Sequence, residues 1–186
     1  MSLVAERKMR SDALANRDKI VAAARAVFAE QGASAPFDTI AQRAGVGNAT
    51  LYRHFPNSAT LHAAILERRL EEAVALLAGL EAEPDSWLVI EAFVRWIAVA
   101  PDVSLIDLMI ERDPPPSRLT ELSGQVRSLF GARIAEAAAA GVIKPDISYD
   151  IIITAMFAIT QVGLQADLAP ALRERFLQVL LDGITA

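Results

Sequence analysis

The stretch from Pro36 to Pro56, PFDTIAQRAGVGNATLYRHFP, decides how the rest of the chain is read. Its first part places Phe37, Ile40, Ala41 and Ala44 at the three- and four-residue spacing of an amphipathic helix. Gly45 ends that helix, because glycine takes the left-handed conformation that caps the last carbonyls without strain, and Val46 follows as an apolar plug between two helices. Asn48 is the expected N-cap of a second helix, whose Leu51 and Phe55 point inward at i and i+4. The opposite face carries Thr50, Arg53 and His54, with Tyr52 at its edge. Such groups hydrogen-bond phosphates and base edges, so the two helices are expected to form a helix-turn-helix that binds DNA. The glycine corner alone does not carry this reading, since any helical hairpin can show one.

Outward from this stretch, every periodic segment is helical. Upstream, a helix is expected from Asn16, as N-cap, to Gln31, stopped by Gly32, with Ile20, Ala24, Val27, Phe28 and Gln31 as its buried stripe. Residues 1–14 read as an arm, either a solvated tail or a source of phosphate and minor-groove contacts through Arg7, Lys8 and Arg10. Downstream, a long helix follows Asn57 and reaches Leu77 or Gly79. Its Leu61 and Ile65 can pack on the preceding helices, while Leu66, Leu70, Ala73, Leu77 and Leu80 continue a second stripe. Further helices are expected over Trp87–Val99, capped by Asp85 or Ser86 and apolar nearly all round, and over Val103–Glu111, ended by Pro114, Pro115 and Pro116. Three more follow, over Leu119–Ala140, Tyr149–Gln165 and Pro170–Leu181. The last carries a wide apolar stripe of Leu172, Phe176, Val179, Leu180 and Gly183. No strand candidate of any length and no internal repeat is present, so the fold class is all-α.

Composition narrows the function. The chain of 186 residues is 53% apolar, enough for a sizeable core, and it contains no cysteine. That removes disulfides, thiolate nucleophiles and cysteine-ligated zinc, and it suits a reducing cytoplasm. The charged N-terminus lacks the apolar core of a signal peptide, and the longest apolar run, Ile151–Leu164, is too short to span a membrane. Charge is unevenly placed: residues 1–56 hold eight Lys or Arg against five Asp or Glu, a net +3, while the remainder holds ten against eighteen, a net −8, together the −5 of the whole. The basic end is therefore the one suited to phosphates. His54 and His62 stand apart from any nucleophile or metal-spaced ligand set, and no glycine-rich phosphate loop or nucleophile elbow is present, so no enzyme, metal or cofactor is expected.

The string GVGNATLYRHFPN, preceded by IAQRAG and by KIVAAARAVFAEQG, resembles the TetR family of transcriptional regulators over roughly the first third of the chain. The resemblance implies an all-helical protein with two parts: an N-terminal three-helix helix-turn-helix domain, residues 1–56 including the arm, and a C-terminal helical ligand-binding and dimerisation domain, residues 57–186. It implies a homodimer built through the last two predicted helices, a near-palindromic double-stranded DNA operator and a small-molecule effector. Thr50, Tyr52 and His54 match positions that touch phosphates, and Asn48, Ala49 and Arg53 match positions that face the groove. Gln42 and Arg43 complete the candidate DNA-binding set. Three residues depart from the pattern: Pro36 replaces a capping Ser or Thr, Asp38 stands where a basic residue is frequent, and Ser58 stands where a lysine is common. Each removes or opposes a phosphate contact.

For the effector, the candidate pocket residues are Phe93, Trp96, Asp107, Met109, Phe157 and Gln161, a mostly apolar set with a few polar groups that would suit a small, fairly hydrophobic molecule. The expected function is a cytoplasmic, dimeric repressor released from its operator by that molecule. Activation or co-repression would use the same parts with the opposite sign. The alternative is a dimeric helical ligand-binding or scaffold protein with a weak or vestigial DNA-binding head.

Overall fold

The computed structural model describes residues 3–32, 34–99, 117–165 and 169–186. Among the described residues eight helices follow one another: α1 (Leu3–Gln31), α2 (Phe37–Ala44), α3 (Asn48–His54), α4 (Ser58–Gly79), α5 (Ser86–Val99), α6 (Ser117–Ala139), α7 (Tyr149–Gln165) and α8 (Pro170–Ile184). The fold is all-α, and a single isolated bridge, Ile143 to Thr185, is the one β contact among the described residues. The chain divides into two compact units, Met1–Leu66 and Glu67–Ala186, with the division falling inside α4. None of the described helices is long and apolar enough to cross a membrane.

In the first unit, α1 starts at Leu3, so residues 3–14, expected as an arm, continue the helix and Asn16 lies within it rather than capping it. The physical reason is local: from Leu3 to Gln31 there is no Gly or Pro, and Ala, Arg, Lys, Leu and Met dominate. The helix ends as expected at Gly32, with φ 85°, whose N–H donates to the Phe28 carbonyl at 2.9 Å. Ile20, Ala24, Val27 and Phe28 are buried with Ile40, Ala41, Leu51 and Phe55, whereas Gln31, expected in the same stripe, is exposed. Leu61, Ala64, Ile65 and Leu66, from the first turns of α4, are buried as well. α4 itself is started by Asn57: its Oδ1 accepts from the Thr60 N–H at 2.9 Å, and the Thr60 hydroxyl donates to the Asn57 carbonyl at 2.7 Å. This satisfies donors that the helix cannot satisfy internally.

The second unit has its own core. Ala73 and Leu77 from α4, Val89, Ile90, Phe93 and Val94 from α5, Val126, Phe130, Ile134 and Ala137 from α6, Ile152 and Met156 from α7, and Leu177, Leu181 and Ile184 from α8 form one buried cluster. At its centre the Phe93 and Phe130 rings lie 4.5 Å apart, with Trp96 stacked on Phe93 at 5.8 Å. Asp85 caps α5, its Oδ1 accepting from the Trp87 and Leu88 N–H groups at 2.9 and 3.3 Å. Although α5 is apolar nearly all round, Leu88 is 49% exposed. After α6, Gly141 at φ 70° donates to Ala138 and Val142 donates to Ala137, a Schellman ending that turns the chain back toward its own C-terminus. There the Lys144 N–H donates to the Ile184 carbonyl at 2.9 Å and the Ala186 N–H to the Val142 carbonyl at 3.2 Å. The predicted helix over Val103–Glu111 and the three prolines after it lie outside the described residues.

Candidate nucleic-acid interface

The turn between α2 and α3 is made by backbone hydrogen bonds. Gly45 adopts φ 67°, its N–H donates to the Gln42 carbonyl at 3.2 Å, and the Val46 N–H donates to the Ala41 carbonyl at 3.0 Å. These are the two bonds of a Schellman motif, and a residue with a Cβ would be strained at that φ. Gly47, extended at φ −73° and ψ 150°, is the N-cap of α3, and its carbonyl accepts from Thr50 and Leu51 at 2.9 and 3.1 Å. Asn48 is therefore the first helical residue and not the cap. With the cap position already taken by Gly47, the Asn48 side chain turns elsewhere, its Nδ2 donating to Asp38 Oδ1 at 2.8 Å.

Leu51 and Phe55 hold α3 down: both are buried, and the Arg17 guanidinium lies 5.7 Å from the Phe55 ring centre. Deleting a side chain buried like Leu51 costs roughly 2–5 kcal/mol, so the inner face of α3 anchors the outer one. On that outer face Asn48, Ala49 and Arg53 are exposed, and Thr50 and His54 are half-buried. Tyr52 packs its ring on Phe37 at 5.3 Å while remaining 50% exposed, so its position is set in part by packing. No hydrogen bond or ion pair among the described residues ties down the Arg53 guanidinium.

The two candidates on α2 differ. Gln42 is exposed, whereas Arg43, also exposed, is engaged through both Nη atoms by the Glu30 carboxylate at the end of α1. That pair links α1 to α2 and offsets the Arg43 charge. Beside Tyr52 an open depression of about 460 Å³ is lined by Ser34, Ala35, Pro36, Phe37, Asn57 and Ser58. Nothing in the sequence spacing of Ser34 and Asn57 signals that the α1–α2 loop and the start of α4 meet beside Tyr52. Only the Asn57-x-x-Thr60 capping pattern hinted at a fixed place for Asn57. Pro36 caps α2 without a side-chain hydrogen bond, as its chemistry requires.

The pocket candidates are placed in the second unit. Phe93 is fully buried against Phe130, and Trp96, half-buried, lies under the Arg69 guanidinium at 3.5 Å while its carbonyl accepts from Arg69 Nη2 at 2.9 Å. Phe157 is half-buried on α7. Asp107 and Met109 lie outside the described residues, as does the Gln161 side chain, although Gln161 itself belongs to α7. Thus the structure brings Phe93 and Trp96 together. Among the described residues no cluster of three or more His, Asp or Glu side chains could hold a metal ion.

Comparison with known proteins agrees with this arrangement. Residues 20–65 match the model of bacterial regulatory proteins of the tetR family, and residues 87–186 match that of the C-terminal domain of SbtR-like transcriptional regulators. The TetR transcriptional regulator SCO0520 from Streptomyces coelicolor is 30% identical, with 91% of this chain and 98% of that one covered and a TM-score of 0.64. A TetR transcription regulatory protein from Mycobacterium vanbaalenii is 27% identical, with 96% and 99% covered and a TM-score of 0.63. No curated protein matches the chain.

Proposed function

The chain belongs to the TetR family of transcriptional regulators, and from that premise we propose that it is a dimeric repressor that leaves its operator when a small, fairly hydrophobic effector binds. One observation carries the DNA-binding part. α3 is locked by its buried face and by the Schellman turn, and it presents Asn48, Ala49 and Arg53 outward with Thr50, Tyr52 and His54 at its flanks. A short packed helix with an arginine unengaged among the described residues and an amide is suited to base edges, and the hydroxyls and imidazole around it are suited to phosphates. The first unit reads as the DNA-binding domain and the second as the ligand-binding and dimerising one.

Dimerisation is supported by α7 and α8. On α8, Leu172, Phe176 and Val179 repeat at i, i+4 and i+7 and are 43–55% exposed, and Ile151 on α7 is 46% exposed. A helix stripe of this kind needs a partner, and a second copy of the same face satisfies a two-fold interface. Two reading heads on a two-fold axis would bind a near-palindrome, its half-sites about one helical turn apart. α4 supplies buried residues on both sides of the division between units, so we read it as the element that carries a ligand-driven shift to α3. If effector weakens operator binding a hundredfold, the coupling is about 2.7 kcal/mol and operator weakens effector binding by the same factor.

The test is direct. Binding of the purified protein to a duplex from its own upstream region, followed by fluorescence anisotropy as salt is varied, should show steep salt dependence and a preference over random DNA. Absence of preferential binding at low salt would sink the regulatory reading and favour a helical ligand-binding protein with a vestigial head.

A further inference from the structure

We infer that Asp38 is a positioning residue for base reading, holding the Asn48 amide so that its free edge meets an adenine. The inference rests on the reading of α3 as the helix that faces the groove. Asp38 lies in the first turn of α2, where the positive end of the helix favours a carboxylate, and Asn48 is the first residue of α3. The two meet through the Nδ2 to Oδ1 hydrogen bond at 2.8 Å, and both side chains are exposed.

The chemistry of the pair fixes its orientation. An ionised carboxylate only accepts, so the amide nitrogen must be the atom turned toward Asp38, and turning the amide over would set Asn48 Oδ1 against a carboxylate oxygen. What remains available on Asn48 is Oδ1 and the second N–H, an acceptor and a donor. In the major groove adenine offers the complementary pair, the N6 amino donor and the N7 acceptor. Guanine presents two acceptors there, so Asn48 Oδ1 would face an unfavourable partner, and thymine presents an acceptor and a methyl group. Cytosine offers its N4 donor but leaves the Asn48 N–H unmatched. A carboxylate close to DNA also lowers affinity for every sequence alike, so neutralising it raises binding to random DNA, while any change in base preference comes through Asn48. Asp38, an unfavourable phosphate neighbour when read by itself, thus gains a role through Asn48.

The experiment compares full-length wild type, Asn48→Ala and Asp38→Asn by selection from randomised operators, followed by binding to duplexes substituted one base at a time. Asp38→Asn keeps the size and the hydrogen bond, but the new amide can donate as well as accept, so Asn48 is free to turn over. Wild type should show one half-site position at which adenine is favoured by about 5- to 150-fold, the range of a good bidentate base contact. Asn48→Ala should abolish that preference. Asp38→Asn should reduce it several-fold at the same position, leave the position read by Arg53 unchanged, and raise affinity for random DNA. A purely structural role for Asp38 would lower affinity and melting temperature with the base profile intact, and that result overturns the inference. Wild-type binding with the adenine preference unaltered in Asp38→Asn overturns the inference alone, whereas no DNA binding by wild type at low salt overturns the reading of α3 and the inference with it.

Discussion

Arg53 and Arg43 are the same residue type a helix apart, and their surroundings give them different prospects on DNA. Arg53 is exposed and unengaged among the described residues, whereas Arg43 is clamped by Glu30. A free guanidinium can pair with guanine in bidentate fashion, so Arg53→Ala should erase roughly 1–3 kcal/mol of discrimination at one operator position. Titration of wild type and mutant against single-base operator variants checks this, with equal profiles counting against it. Releasing Arg43 has the opposite sense. Glu30→Gln removes a negative charge and frees a positive one, so DNA affinity should rise for all sequences and the salt dependence should steepen by about one phosphate contact, read from log K against log salt. The charges themselves were legible in the sequence, but the Glu30–Arg43 pair, thirteen residues apart, was not, because it depends on how α1 and α2 pack.

Element ends in the second unit show how polar contacts finish what burial begins. Arg133, on α6, donates to the Leu80 and Glu81 carbonyls at 3.2 and 2.5 Å just beyond the end of α4, where a cation meets the negative end of the helix. Its side chain is 16% exposed, so Arg133→Met, which keeps most of the bulk, should destabilise the protein by about 1–3 kcal/mol in urea unfolding. Nearby, the Ser86 hydroxyl donates to Glu136 Oε2 at 2.8 Å, joining the start of α5 to α6. Hydrogen bonds from Ser86 and then Arg133 hold the Glu136 carboxyl below the usual carboxylate range, and Arg127 does the same for Asp150. Both groups are depressed on folding, so their contribution is present above the unfolded carboxylate value, about 4, and is lost as pH falls through the lower folded values. Melting temperature should therefore decline below about pH 4. In Ser86→Ala the Glu136 titration, followed by NMR, should move up toward the ordinary value, and an unmoved titration would count against the Ser86 contact.

For the whole molecule the decisive surface is the apolar stripe of α8. Phe176→Asp places a charge in the middle of a stripe that is exposed in the single chain, so folding should be little affected while the proposed dimer is lost. Sedimentation should show a monomer, with operator affinity falling at least tenfold. A mutant that stays dimeric would move the interface elsewhere. Under the proposed release mechanism, effector and operator should weaken each other by one common factor when both affinities are measured on the same preparation.

The sequence by itself determined the all-α class, most helix positions, the glycine corner at Gly45, the inward pair Leu51 and Phe55, and the family to which the chain belongs. These are written in periodicity and in residues with special backbone chemistry, signals that need no knowledge of distant neighbours. The tertiary structure decided the rest. It decided that α1 runs back to Leu3, that Gly47 rather than Asn48 caps α3, and that Asn48 is spent on Asp38 and Arg43 on Glu30. It also decided that Arg69 covers Trp96 and that Arg133 closes the end of α4. Each of the last four pairings joins residues at least ten positions apart on different elements, so the partner of a polar side chain is set by which faces pack together. Local pattern places a side chain on a helix, but only packing brings to it the group with which it hydrogen-bonds.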